Sequence, residues 1–360
     1  MGTMTGAGRG ATFGLLAAAT FGVSAPLAKL LGARIQPLML AGLLYAGAGA
    51  ALTILGGVRG LGGRAVGGKP GEMPLGRGDL GALISVTVLG GMVGPLLMLF
   101  GLARSSATAG ALFLNLEGPL TALVAVAAFG EHLGRRGLGA TVLVFAGAAL
   151  LGVGGGVGQV SLGGAAALAG ACLAWAVDNN LTQRLALRDP IAVVRAKTLG
   201  AGGALLVLAL VFGNHLPPLR LVLGALTVGA VSYGASVLLD AYALRLLGAA
   251  REAAFFATAP FVGALVGAAM FREPVTLSAL GAVALMIAGV AALLRERHGH
   301  LHAHAPLEHA HIHVHDAHHT HRHDGPGDES GAEPHAHLHR HEAITHDHPH
   351  TSDAHHRHRH

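Results

Sequence analysis

RSSATAGALFLNLEGPLTALVAVAAFGEHLGRRGLGATVLVFAGAALL (residues 104–151) decides the fold, because residues 245–294 restate it as RLLGAAREAAFFATAPFVGALVGAAMFREPVTLSALGAVALMIAGVAALL. Glu131 and Glu273, Gly139 and Gly281, and Gly147 and Gly289 are separated by one and the same interval. Pro119 and Pro260 keep that interval to within a single position. The preceding stretch repeats as well, Phe21-Gly22-Val23 with Pro37 answering Trp175-Ala176-Val177 with Pro190. Chance similarity in Ala/Gly/Leu-rich sequence does not place a proline, a glutamate and two glycines in common register. The chain therefore divides into two similar halves, residues 1–157 and 158–297, and a tail, residues 298–360.

Composition says what surrounds the halves. Of 360 residues, 52% are hydrophobic and only 12% charged, against about 25% charged in soluble domains. Aromatic residues are 4% and glycine numbers 56, which suits a bundle whose helices approach closely in lipid. Gly90–Gly94 and Gly263–Gly267 have the GxxxG spacing. Apolar segments long enough to cross a hydrocarbon core of about 30 Å fall at 11–31, 38–58, 79–102, 107–129, 137–157, 162–183, 191–213, 220–243, 249–271 and 275–294. They are expected to be helices, because an unpaired backbone amide in lipid costs several kcal/mol. Five spans per half is an odd number, so the second half enters from the opposite side. The expected fold is an all-α polytopic membrane protein of two inverted five-helix repeats with a disordered C-terminal tail. Inverted repeats are the build of secondary transporters, which bind solute near the midplane. Arg9 before an apolar run could suggest a signal peptide, but the match of residues 21–37 to 175–190 makes that run a retained span.

Arginine and lysine favour one set of connections. Arg59, Arg64, Lys69 and Arg77, then Arg135 and Arg136, Arg184 and Arg188, Arg245 and Arg251, and Arg295 and Arg297 lie on one side. The positive-inside rule then places both termini, and the tail, in the cytoplasm, with the body in the cell (inner or plasma) membrane.

Polar residues deep in the spans are the candidate site, since a midplane charge costs about 2.5–3.5 kcal/mol on insertion scales. They are Asn115 and Glu117 in span four, Asp178, Asn179 and Asn180 in span six beside Trp175, Arg195 and Lys197 in span seven, and Asp240 in span eight, where an interfacial ion pair with Arg245 is expected. One reading is a polar cluster lining a solute path, with Glu117 or Asp178 as a proton or cation site and Lys197 as counter-charge. The other is a buried pair that fixes helix packing. Pro119 and Pro260 are expected inside spans four and nine, where each frees a carbonyl and permits a kink. Glu131 and Glu273 end those spans and are expected to be structural. Glycines eight residues apart share a helix face.

The tail holds 23 of the 25 histidines. They run in His-x-His alternation at His300, His302, His304, at His309, His311, His313, His315, and at His335, His337, His339, His341. Neutral imidazole ligates Zn, Ni and Co, so reversible binding of divalent metal is expected, in a segment too polar and Pro/Gly-rich to pack a core. Cys172 is the sole cysteine, which excludes an intrachain disulfide.

WAVDNNLTQRLALRDP (175–190) and ALRLLGAAREAAFFATAPFVGALVGAAMFREPVT (243–276), with the repeated Pro…Glu…Gly…Gly pattern, resemble the drug/metabolite transporter superfamily, specifically the EamA-type transporters. The resemblance covers residues 11–294. It implies ten helices, both termini inside, a central cavity, alternating access, and export or exchange of a small organic metabolite. It carries over no catalytic residue, and with no HExxH or Ser–Lys arrangement in the spans neither enzyme activity nor a required cofactor is expected. The tail lies outside the family pattern and keeps an alternative open, a divalent metal (Ni/Co/Zn) efflux carrier fed by the histidines. Expected partners are a small-molecule solute, the lipid bilayer and divalent metal ions, with a homodimer as an option and no nucleic acid.

Overall fold

The computed structural model describes residues 6–62, 75–129, 133–153, 160–182, 185, 188–247, 255–295, 298–304, 307–313, 335–341 and 344–350. Among these, ten helical segments occupy the expected spans. α1 is Gly6–Gly22 and Ser24–Gly32, joined at Val23, and α2 is Pro37–Gly62. α3 runs from the turn Arg77–Asp79 through Leu80–Val86 and the π-helical Thr87–Val93 to Gly94–Ala103. α4 joins Ala107–Phe113, a 3-10 step at Leu114–Leu116 and Glu117–Phe129. α5 is Arg135–Val153, α6 Leu162–Thr182 and α7 Pro190–Val211. α8 joins Leu219–Val228, the π-helical Gly229–Ala235 and Ser236–Leu247, α9 is Ala259–Phe271 and α10 Leu277–Leu294. Eight of these are long and apolar enough to cross a membrane; α9 is an apolar helix of 13 residues within the described range, and α5 has 19 residues.

The helices start and stop where capping chemistry allows. Ser106 Oγ accepts from the Ala109 amide at 3.0 Å at the head of α4. Asp189 does the same for Ile191 at 2.9 Å on α7, and Thr276 for Ala279 at 3.1 Å on α10. Each meets an amide that the first helical turn leaves without an internal partner. α9 ends at Arg272, whose φ of 51° is left-handed. Proline behaves differently in the two repeats. Pro119 follows the 3-10 step within α4, so this span does change its hydrogen bonding there. Pro260 stands at the second position of α9, where a missing amide costs nothing, so it opens a helix and does not kink one.

Packing follows the repeat. Numbering the spans so that each pairs with the one five places on, α2 packs on α7, α4 on α9 and α5 on α10, each on its own counterpart. α1 packs on α8, and the equivalent pair α6 and α3 does likewise. A contact pattern closed under this exchange is what a two-fold relation between the halves produces. Gly147 and Gly289 show it at atomic scale. A methyl built at Gly147 would stand 3.0 Å from the Ala282 carbonyl oxygen, and one at Gly289 would stand 2.8 Å from that of Ala140. Ala140 and Ala282 are themselves counterparts in the repeat. Gly139 shares the spacing but has open space where a methyl would sit, so only the second glycine of that pair packs. The π-helical stretches Thr87–Val93 and Gly229–Ala235 keep the same interval, so both halves carry one irregularity at one position of the repeat. A π turn releases backbone groups from the regular ladder and recurs at functional sites.

The bundle interior holds small residues with Met39, Leu40, Leu44, Leu112, Leu168, Leu205 and Met286. Large apolar side chains such as Ile54, Val142, Val207, Val211, Leu265 and Ile287 are exposed, which would be unfavourable in water and suits lipid. Contacts fix which ends lie together. Backbone pairing of Ser105 with Val160 and Glu273 at the head of α4 mark one end; Arg188 on Asp79 marks the other. Glu273 meets the first residues of α4, while Phe129, which closes that span, precedes position 131 by two. Glu131 itself lies outside the described residues.

In the tail, the described residues are paired backbone. They form four strands, β1 His298–His304, β2 Leu307–His313, β3 His335–His341 and β4 Ile344–His350. β1 pairs antiparallel with β4, and β2 with β3. The reason is period: His-x-His alternation is the period of a strand. Two-stranded ladders are marginal in water by themselves, which fits the low core-forming content of the segment.

Candidate functional site

The site is built around one carbonyl, that of Gly90 in the π turn of α3. Tyr45 on α2 donates its hydroxyl to it at 2.9 Å, and Trp175 on α6 donates its indole N–H at 3.1 Å. One helical turn beyond Trp175, Asp178 lies so close to Gly90 that any Cβ there would coincide with the carboxylate. Lys197 on α7 forms an ion pair with Asp178 Oδ2. Asp178 is buried, at 4% exposure. Its Oδ1 makes no hydrogen bond of normal length and angle, with Thr182 in looser reach of the carboxylate. Four spans, α2, α3, α6 and α7, are thus held together by groups that would be costly to bury alone.

Glu117 and Asn179 form the next layer. Asn179 Nδ2 donates to Glu117 Oε1 at 2.9 Å, tying α6 to α4 where α4 leaves its 3-10 step. Glu117 is half-buried and Asn179 exposed, so this pair is reachable from outside the packed core. Asp178 and Lys197 lie within electrostatic reach of Glu117. The aromatic wall continues through Tyr45 to Tyr233 (5.8 Å between ring centroids) and on to Phe21 (5.8 Å).

The structure thus brings Glu117, Trp175, Asp178, Asn179 and Lys197 together. Asn115 and Asn180 are placed elsewhere. Asn115 donates to the Leu112 carbonyl at 3.1 Å and meets Met286 of α10. Asn180 donates to the carbonyls of Thr121 and Ala176 at 3.1 and 2.8 Å, bracing α6 against α4. Sequence reasoning did not assign Tyr45, Gly90 or Tyr233 to the site, and read Gly90 only as part of a GxxxG spacing. Two of these are among only three tyrosines in the chain, a signal that could have drawn attention to them.

The two-fold relation is broken in chemistry. In the alignment of Phe21 with Trp175 and of Pro37 with Pro190, Ser24 answers Asp178 and Leu44 answers Lys197. Ser232 takes the place of Gly90 in the other π turn and is buried with its hydroxyl unpartnered. Only the second half supplies the charges of the ion pair.

Glu273 caps α4. Its two carboxylate oxygens accept from the amides of Ala107 at 2.6 Å and Thr108 at 2.9 Å, a negative group on the positive end of that helix. Lys29 complements it by donating to the carbonyls of Leu102 and Ser105, both at 2.6 Å, at the tail of α3. Glu273→Ala is expected to cost about 1–2 kcal/mol of stability through the lost cap while transport by the folded fraction continues. Thermal unfolding and flux measured on the same preparation check both halves of this, and a stable but inactive variant would contradict it. Among the described residues no three His, Cys, Asp or Glu side chains gather as metal ligands.

An antiparallel pair of five-helix halves with a buried charged cluster between its helices defines a polytopic membrane protein of the inverted-repeat class. The EamA-like transporter family matches residues 8–153 and again 162–295, and the chain belongs to that family. An uncharacterized transporter of Methanothermobacter thermautotrophicus is 29% identical over 228 residues, which cover 62% of this chain and 66% of that protein. A solved structure described only as the crystal structure of a protein matches 79% of this chain and 98% of its own at 18% identity, with a TM-score of 0.58. That likeness concerns the fold.

Proposed function

We propose that this protein is a secondary transporter that exports or exchanges a small organic metabolite by alternating access between its two halves. The observation that carries the reading is the buried Asp178–Lys197 pair set against the π turn at Gly90. A buried ion pair is weak support for stability, because desolvation offsets its attraction. Its position at the junction of α3, α6 and α7 gives it a use instead. A solute with a cationic or anionic group exchanges with one partner of the pair, and Oδ1 of Asp178 offers the first contact. Glu117, braced by Asn179 at the helix break, is the second polar contact and a proton site. Matching π turns in α3 and α8 are the places where the two halves yield. The end that carries Asp79–Arg188 faces the cytoplasm, as the arginine bias supports, in the cell membrane. The histidine tail then lies in the cytoplasm and binds divalent metal as a buffer or regulator of the carrier. The metal-carrier alternative gains no support from the spans, whose charged cluster combines carboxylates with a lysine.

Glu117→Gln tests the central reading. It keeps the hydrogen bond with Asn179 in shape and removes the charge. Solute flux in proteoliposomes is expected to fall by at least about tenfold, with protein yield and melting temperature unchanged. Full flux in this variant would remove Glu117 from the mechanism.

A further inference from the structure

Twelve of the 23 tail histidines are placed as a palindrome. His298, His300 and His302 precede Asp324 by the same intervals at which His350, His348 and His346 follow it, and His309, His311 and His313 mirror His339, His337 and His335 in the same way. Each arm also breaks its alternation near the same level. Within residues 298–313 and 335–350, His304 to His309 in one arm and His341 to His346 in the other are steps of five where the other steps are of two. Metal binding by composition alone would not require either symmetry.

Backbone pairing uses the palindrome. In the first ladder His298 pairs with His350, His300 with His348 and His302 with His346. In the second His309 pairs with His339, His311 with His337 and His313 with His335. Every pair in both ladders is centred on Asp324, so the ladders share one register. A break of alternation in one arm alone would set the histidines of one ladder against alanine or leucine. With a break in each arm, histidine stays opposite histidine in both ladders. The exceptions border the break itself, His304 opposite Ile344 and His341 opposite Leu307.

Directly opposed residues of an antiparallel pair share a face, with Cβ atoms about 4.5–5.5 Å apart. Imidazole nitrogen binds zinc at about 2.0–2.1 Å, so two opposed imidazoles suit one ion between them. We infer that the tail is a hairpin closed by metal, in which opposed histidine pairs each take a borderline divalent cation of the Zn(II), Ni(II) or Co(II) class. Strand pairing and metal occupancy are then one equilibrium. The ladders have little strength of their own, since Gly299, Asp347 and Pro349 are poor strand residues and two strands are marginal. Binding requires neutral imidazole, so acidification opens the hairpin. This rests on the tail being a metal binder, as proposed above.

The test separates register from composition. In full-length protein in lipid nanodiscs, Thr345 is exchanged with His346, Asp347 with His348, and Pro349 with His350. Composition and charge are unchanged. The three moved histidines now oppose Ala303, Leu301 and Gly299. A one-residue slip that restored them would mispair the second ladder, since a slip of one moves every side chain to the other face. Zn(II) affinity by equilibrium dialysis is expected to fall by about tenfold or more at the tightest sites, from loss of two-histidine chelation. Equal affinity in both proteins overturns the hairpin inference and leaves metal binding standing. No zinc retained by the unaltered chain overturns the metal-binding reading itself.

Discussion

Lys197→Met is expected to abolish transport and to destabilise the bundle by about 3–5 kcal/mol, the usual cost of leaving one member of a buried ion pair alone. Asp178 would then be a carboxylate at 4% exposure with no cation beside it and Gly90 pressed against it. Combining Lys197→Met with Asp178→Asn removes both charges and is expected to recover most of the stability but none of the flux. The two readings of the pair divide at this point. A pair that serves only to join helices can be replaced by neutral groups of similar volume with little consequence, because desolvation already consumes most of its attraction. A pair that receives solute cannot. Thermal unfolding in detergent and flux in proteoliposomes, measured on the single and double variants, decide it. A double variant that transports normally would reduce the pair to a packing device.

Gly229→Ala is expected to destabilise the protein by about 1–3 kcal/mol, as overpacking does in a filled interior. A Cβ at Gly229 would collide with the Leu44 carbonyl of α2, and one at Gly47 with the Leu226 carbonyl of α8. Each obstacle is backbone, so no side chain can rotate away, and α2 and α8 would have to separate. Those helices carry Tyr45 and Tyr233, whose contact would open with them. Gly139→Ala is the control. Nothing lies within 4 Å of a Cβ there, and alanine favours a helix over glycine by about 1 kcal/mol. The two substitutions are chemically identical and should move the melting temperature in opposite directions. Equal shifts would mean that the close crossing of α2 and α8 does not hold the bundle together.

Much of this architecture could be read before any coordinates. Period and length mark spans because lipid leaves the backbone no choice but helix. The shared interval of Glu131/Glu273 and Gly147/Gly289 announces the two halves, and an odd span count makes them inverted. The place of Glu273 at a span end was equally legible. The division of labour among polar residues was not. Asn115, Asn179 and Asn180 are one residue type in similar apolar settings. Their roles differ only because α10, α4 and α6 present different partners to them. Pro260 illustrates the same limit, since whether a proline kinks a helix or opens one depends on where the preceding turn stops.

By itself, the sequence determined the membrane environment, the repeat, the inverted build and the palindrome of the tail, because each follows from spacing along one chain and from the cost of bare backbone in lipid. Tertiary structure decided the rest. It chose Gly90 as the carbonyl shared by Tyr45 and Trp175, set Asp178 against Lys197 in one half only, and matched the π turns of α3 and α8. These depend on which faces of separate helices meet, and helix–helix crossing in lipid is settled by close packing between residues far apart in the chain.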